Sequence, residues 1–385
     1  MASFLGRGMV TSPSRPPPGL RPPSLSLART DAPCQSLSIT FYQAIVAHVE
    51  PSSRVTIRDV AARAGVSVAT VSKVINSRYG VAAETHARVQ AVIDELGYEA
   101  SLVAQSLRNH RTNVIGILIA DLEPFSTELL KGAADAIRGS DYELVIYSAG
   151  GPAPDRVGWE RRYLSRLSGT LIDGAVLVTP TVVDVNYGAP VVAIDPAAGP
   201  PGQPGLPTVD SDGLRGAELA TEHLIRLGHR RIGMLTGRPA LQSAQLRERG
   251  YRLALAAAGL PVPEDLMLVG AYDPAVSRQQ ARRLLTGPQP PTAIFAANDM
   301  SAIATMEAAA ELGLDVPGDL SVVGFDNIPE SALAVPPLTT VSQPVRQMGR
   351  RSIELLLQLV RGEPVPDTHI TLPTELVVRR STRAR

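Results

Sequence analysis

From Asn113 onward the chain alternates unbroken apolar runs with helical patterns, and this alternation limits what it can fold into. The runs VIGILIA, ELVIYSA, GAVLVT, PVVAID, RIGMLTG, TAIFAAND, LSVVGFD and LTTVSQ are apolar at odd and even positions alike. Between them lie ELLKGAADAIRG, GLRGAELATEHLIRLG, RERGYRLALAAAG and MSAIATMEAAAELG, which have the spacing of helices. A strand that is apolar on both faces must be covered on both, which predicts parallel sheets sandwiched between helices. About 270 residues of this texture exceed one ordinary sheet, so two doubly wound lobes are expected.

Several classes are excluded early. No uninterrupted apolar run reaches the ~20 residues that cross a bilayer, so no membrane partner is expected. The single cysteine, Cys34, forms neither an internal disulfide nor a cysteine-rich zinc site. MASFLGRGMVTSPSR lacks the apolar centre of a secretory signal, and the expected location is the cytoplasm. The chain carries 37 basic and 37 acidic residues, but the balance is uneven along it. Residues 1–112 have a net charge of +5 and the remainder −5, as when one part meets a polyanion. Residues 1–53, rich in Pro and Ser, read as a disordered tail. ITFYQAIVAHV within it has the pattern of a short helix, and a start codon further downstream is an equal reading of the tail.

Residues 54–100 change to short helices. Ile57, Val60, Ala61 and Ala64 form one apolar stripe, Gly65 follows, and Ser67 is placed to cap a second helix reaching about Asn76. A third, about Glu84 to Leu96, buries Val89, Val92, Ile93 and Leu96 and stops at Gly97. Two short helices joined by a Gly-containing turn make a helix-turn-helix, here within an all-α unit. Val71, Val74 and Ile75 face its core. Val68 and Ala69 then offer methyl contacts to thymine, and Lys73 a donor to guanine. Ser67, Thr70, Ser72 and Asn76 suit phosphates, which set register without reading sequence.

SLVAQSLRNHR, within residues 101–112, follows as a hinge segment. Ser101 is a cap candidate, and Leu102, Val103, Ala104 and Leu107 give an apolar face. A helix this short is below the ~12–15 residues needed for stability alone, so its folding depends on a partner. On DNA, two paired copies would place Leu107 in a minor-groove step, with Arg108 and Arg111 on phosphates. A plain linker helix is the alternative.

VTIRDVAARAGVSVATVSKVIN and LGYEASLVAQSLR resemble the DNA-binding domain and hinge of the lactose-repressor (LacI/GalR) family of bacterial transcriptional regulators. LATEHLIRLGHRRIGMLTG, PPTAIFAANDMSAIATMEAAAELGL, SVVGFDNIP and PPLTTVSQP extend the resemblance over about residues 54–382. Lys73 departs from the Arg more common there, and Ala100-Ser101 from the usual Pro-Asn. The resemblance implies an N-terminal all-α helix-turn-helix domain with a hinge helix, followed by an α/β type I periplasmic-binding-protein-like pair of lobes at 113–382. Lobe one would span about 113–210 plus 343–372, and lobe two about 211–342 plus 373–381. The implied partners are double-stranded operator DNA, a small-molecule effector such as a sugar, and a second copy of the chain. Without leucine heptads near Arg385, a homodimer is expected.

In open α/β sheets a ligand sits at the carboxyl ends of the strands. Phe125, Ser126, Asp195, Tyr272, Asn298 and Asp326 follow or end apolar runs, and Arg247 opens a helix. By resemblance Arg247, Asn298 and Asp326 match effector contacts, with Phe125 and Tyr272 at stacking positions. Asn298 is also a cap candidate, and either aromatic also suits an ordinary core. A phosphate loop, a dinucleotide fingerprint, a zincin motif and a nucleophile elbow are all lacking, and the six histidines have no metal-ligand spacing. No catalytic residue, metal or cofactor is therefore assigned. The rivals are a solute receptor of the same fold, a sugar-modifying enzyme and a corepressor-dependent regulator. The wedge predicts that Leu107→Ala weakens operator binding in a gel-shift titration while effector affinity stays within twofold; equal operator affinity removes it.

Overall fold

The computed structural model describes residues 55–75, 79–98, 111–149, 158–182, 187–198 and 205–385. The tail, Asn76, and the hinge positions Ser101, Ala104, Leu107 and Arg108 lie outside the described residues. The chain divides into two units, Met1–Tyr98 and Glu99–Arg385.

The first unit holds three helices: α1 (Ile57–Ala64), α2 (Val68–Ile75) and α3 (Ala83–Leu96). Asp59 accepts hydrogen bonds from the backbone N–H and hydroxyl of Thr56 at 2.8 and 2.7 Å, closing the first turn of α1. Gly65 ends α1 at φ 67° and Gly97 ends α3 at φ 58°, left-handed positions that cost glycine nothing. Val60, Ala61, Ala64, Val71, Val74, Val89 and Val92 form the core. Ile93 and Leu96, expected inside, are only half-buried because so small a unit leaves the end of α3 uncovered.

The second unit contains two six-stranded sheets. Its elements begin with β1 (Val114–Ile119), α4 (Pro124–Ile137), β2 (Glu143–Ser148), α5 (Trp159–Leu167), β3 (Gly174–Val178), β4 (Val191–Ile194) and β5 (Thr208–Ser211). Then come α6 (Gly213–Arg226), β6 (Ile232–Thr236), α7 (Gln242–Ala257), β7 (Met267–Val269), α8 (Pro274–Leu285), β8 (Ala293–Ala296) and α9 (Asp299–Glu311). The chain closes with β9 (Ser321–Asp326), α10 (Pro329–Leu333), β10 (Thr339–Ser342), α11 (Val345–Arg361), β11 (His369–Leu372) and β12 (Glu375–Val377).

The first sheet has the order β11-β5-β4-β3-β1-β2 and is parallel throughout. The second has the order β12-β10-β9-β8-β6-β7, with only β12 antiparallel. The chain passes from one sheet to the other after β5, returns after β10, and crosses again after β11. Every residue of β1, β3 and β4 is buried, as double-sided coverage requires.

Close helix packing depends on two glycines. A Cβ at Gly349 of α11 would overlap the carbonyl oxygen of Leu129 in α4, and one at Gly132 of α4 would overlap that of Arg346. The two helices therefore meet backbone to backbone over the first sheet. Gly349→Val should force them apart and cost about 2 kcal/mol, read as a lower urea midpoint at unchanged slope; an unchanged midpoint contradicts this packing.

Candidate functional site

The exposed face of α2 is set by what its other face buries. Val71 and Val74 are fully or almost fully buried, which turns Val68, Ala69 and Lys73 to solvent, Val68 being 42% exposed. The Ser67 hydroxyl accepts from the Thr70 backbone N–H at 3.1 Å and lies 2.9 Å from the Thr70 hydroxyl. Ser67 is thus a helix cap, and its partner Thr70 is half-buried beside it, as is Ser72. Among the described residues Lys73 has no ion pair, so a small apolar surface with one free cation is presented outward.

Within the second unit a cleft of about 160 Å³ lies between the carboxyl ends of the two sheets. Phe125, Asp195, Arg247, Tyr272, Asn298 and Asp326 all line it. Ser126, expected there, does not. It is 2% exposed, and its hydroxyl accepts from the Glu123 backbone N–H at 2.9 Å and donates to the Asp121 and Glu123 carbonyls. Its side chain is consumed in starting α4, which leaves Phe125 as the residue of that turn facing the cleft. Asn298 is the helix cap: its side-chain oxygen accepts from the Ser301 N–H at 3.0 Å at the start of α9, and the residue also lines the cleft.

Arg247 is 5% exposed, with its guanidinium carbon 3.8 Å from the centre of the Phe325 ring and 5.6 Å from that of the Tyr272 ring. Its Nη1 donates to the Ala297 carbonyl at 2.5 Å, and Asp326 Oδ1 lies 3.7 Å from that nitrogen. Its Nε is buried and, among the described residues, has no hydrogen-bond partner, a donor costly to leave unused. Asp326 instead accepts from the Gln343 amide at 2.6 Å, and the Gln343 carbonyl oxygen accepts from Ser211 at 2.6 Å. Burial pushes the Asp326 carboxyl well up, partly opposed by Arg247 and reinforced by Asp299.

Across the cleft Asp195, at the end of β4, accepts from the Ser243 backbone N–H at 3.1 Å and its hydroxyl at 2.8 Å. The Ser243 and Tyr272 hydroxyls are 2.9 Å apart. Asp195 donates its own backbone N–H to Asp210 Oδ1 at 2.8 Å. Burial raises both carboxyls, Asp210 to about 6, where the nearby Asp195 charge adds to the effect. Burial also raises the Tyr272 hydroxyl to about 12. Gly237 leaves room for that ring, since a Cβ there would overlap it.

Sequence reasoning missed Asp210, Ser243 and Gln343. Asp210 was findable, lying at the end of TVDS just before a helix cap. Ser243 and Gln343 carry no local signal, because each matters only through partners distant in sequence: Asp195 for Ser243, and Ser211 and Asp326 for Gln343. Glu123 and Asp212 bring the carboxylates lining the cleft to five, against one guanidinium.

A helix-turn-helix unit joined to a two-lobed binding fold with a polar interlobe cleft defines a ligand-responsive DNA-binding regulator. Residues 56–101 match the model for bacterial regulatory proteins of the lacI family, and residues 221–382 match a periplasmic binding protein-like domain. The chain is 33% identical over 337 residues to the transcriptional repressor PurR of Photobacterium profundum, covering 85% of this chain and 98% of that one. It is 35% identical over 336 residues to the ribose operon repressor of Halalkalibacterium halodurans, covering 85% and 97%. The lac repressor dimer bound to operator and the anti-inducer ONPF aligns with a TM-score of 0.73 at 29% identity, covering 86% of this chain and all of that one. The chain therefore belongs to the LacI family: it is a DNA-binding transcriptional repressor governed by a small-molecule effector, in a family of dimers that are not enzymes. Among the described residues no helix is long and apolar enough to cross a membrane, and no cluster of metal-ligating residues occurs.

Asp210 gives a signed pH test. With its folded pKa raised from 3.8 to about 6, the folded state holds the extra proton, so stability falls as pH rises through that window. Asp210→Asn should be more stable than the parent at pH 8 by about 3 kcal/mol, with most of the difference gone by pH 4. Urea unfolding at both values checks this, and parallel curves contradict it.

Proposed function

We propose that the effector is a neutral sugar that induces release from a palindromic operator, in a bacterial regulator acting at the nucleoid. The observation that carries this is the cleft lining: carboxylates, an amide and a guanidinium donor converge beside the Phe125 and Tyr272 rings. Carboxylates accept from ligand hydroxyls, the free Arg247 Nε donates to a hydroxyl or ring oxygen, and the rings cover the apolar sugar face. With five carboxyl groups and a single guanidinium in its lining, the cleft offers a phosphate ester little cationic partnership. The identity to a ribose operon repressor supports the same class.

Release follows from the cross-lobe bonds. Asp195 to Ser243 and the Ser211–Gln343–Asp326 relay join the two lobes through the groups that a sugar would engage. A ligand that takes over these acceptors resets the angle between lobes, and the linked change in operator affinity is typically about 1–3 kcal/mol. On the DNA side, Val68, Ala69 and Lys73 of α2 would meet bases, and Ser67, Thr70 and Ser72 phosphates; Asn76 and the hinge positions Ala104, Leu107 and Arg108, outside the described residues, are assigned to operator contact from the sequence.

Fluorescence anisotropy on palindromic DNA upstream of the gene, at one fixed salt concentration, tests both halves. Neutral pentoses, hexoses and disaccharides are titrated beside their phosphate esters. Weakened operator binding by one neutral sugar, lost in Arg247→Ala and Asp326→Asn, is the expected result. Binding strengthened by the ligand establishes corepression instead, and preference for a phosphate ester overturns the charge argument. Lys73→Ala should cost operator affinity by about 1–3 kcal/mol without changing the sugar response.

A further inference from the structure

Where the chain arriving from the DNA-binding unit joins the first sheet, one carboxylate holds it. Asp173 Oδ1 accepts from the Thr112 backbone N–H at 2.6 Å and from the Thr112 hydroxyl at 2.8 Å. Its Oδ2 accepts from the Asn113 N–H at 2.9 Å. The Thr112 hydroxyl oxygen accepts in turn from the Val114 N–H at 3.1 Å, and the Asp173 N–H donates to the Val114 carbonyl at 2.8 Å. Asn113 carries the left-handed φ of 55°, a turn conformation that Asn adopts more readily than other residues with a Cβ, and its carbonyl receives the Glu143 N–H at 2.8 Å. Thr112 is 5% exposed although it precedes the first strand. Three donors on one half-buried carboxylate, around a bent backbone, exceed what starting a strand requires.

The placement of this staple gives it a use. Asp173 immediately precedes β3, and Thr112 and Asn113 immediately precede β1. The two strands pair in register from Ile115 with Gly174 to Ile119 with Val178. At their other ends lie Thr179, Glu123 and Phe125, all in the cleft lining. The cleft and the staple thus occupy opposite ends of one fully buried strand pair, about 20 Å long. Such a pair moves as a rigid body.

We infer that Asp173 is a positioning residue for allosteric release: it locks the end of the hinge segment to lobe one, so that lobe movement at the cleft is delivered to the chain leading to DNA. Without the staple, residues 111–113 become a compliant joint that absorbs the movement. This rests on the sugar-induced release proposed above, and the test separates the two. Ribose, glucose, galactose and maltose are each titrated against the full-length parent bound to operator DNA, and the sugar that shifts it is the probe for the variants. Asp173→Ala should bind that sugar within twofold of the parent and bind operator in its absence, yet show less than a third of the parent's fold-change in operator affinity. Asp173→Asn, which keeps an acceptor for Thr112 but offers Asn113 none, should fall between.

A purely structural role would lower the melting temperature and leave the fold-change intact, and that result overturns the inference. Loss of sugar binding by both variants overturns it as well, because the residue would then support the lobe itself. If no sugar shifts the parent, the release reading fails and this inference fails with it; a responsive parent with equally responsive variants removes the inference alone.

Discussion

In the first sheet β1, β3 and β4 have no exposed residue, and in the second β6, β8 and β9 are likewise sealed. Helices cover both faces, and the strands pair with their neighbours in parallel ladders. Chemistry is thereby expelled from the strands to their ends. The same constraint fixes direction, since strands that run parallel deliver all their carboxyl ends to one side. Two such sheets, joined by chain crossings after β5, β10 and β11, present those ends to a shared cleft. Charged and polar side chains collect there because it is where the backbone leaves the ladder without leaving the protein.

Collecting them creates an electrostatic debt within the cleft. Asp326, Arg247, Asn298 and Gln343 are each no more than 6% exposed, and burying unpaired charge is expensive. The protein meets part of the cost internally: Gln343 donates to Asp326, Ser243 donates to Asp195, and Phe325 stacks under the guanidinium. The remainder shows as carboxyls raised by burial and as the unpartnered Arg247 Nε. These groups are left able to donate and to accept hydrogen bonds at neighbouring points of the cleft lining.

Legibility in the sequence followed locality. VIGILI, GAVLV, VVAI and SVVGFD announce themselves as strands because burial on both faces writes an unbroken apolar run. β5, β11 and β12 do not: TVDS, HITL and ELV are short and partly polar, and they become strands by pairing with distant segments, as His369 does with Thr208. Cleft residues at strand ends were readable for the same reason that the strands were. Ser126 misled because a serine at the start of a helix looks the same whether its hydroxyl faces a ligand or closes the turn. Ser243 and Gln343 stayed hidden because their partners, Asp195 for the one and Ser211 and Asp326 for the other, lie far away in the sequence. The helix-turn-helix face was legible throughout, since burying Val71 and Val74 determines what must point away.

Backbone strain is concentrated at the same place. Thr179, Asp195, Tyr272 and Asp326 line the cleft and all have positive φ, at 51°, 49°, 61° and 113°. Each costs about 1 kcal/mol or more, and such residues persist only where the surroundings over-determine them. Here the preceding strands do so: β3, β4 and β9 are locked in their ladders, so the turn must be made abruptly at the first residue beyond or at the strand's last. The abrupt turn is what brings the side chain back over the end of the sheet instead of letting it run on into solvent. Strain, polar chemistry and cross-lobe hydrogen bonds therefore coincide because one cause, a sealed parallel ladder that stops suddenly, produces all three.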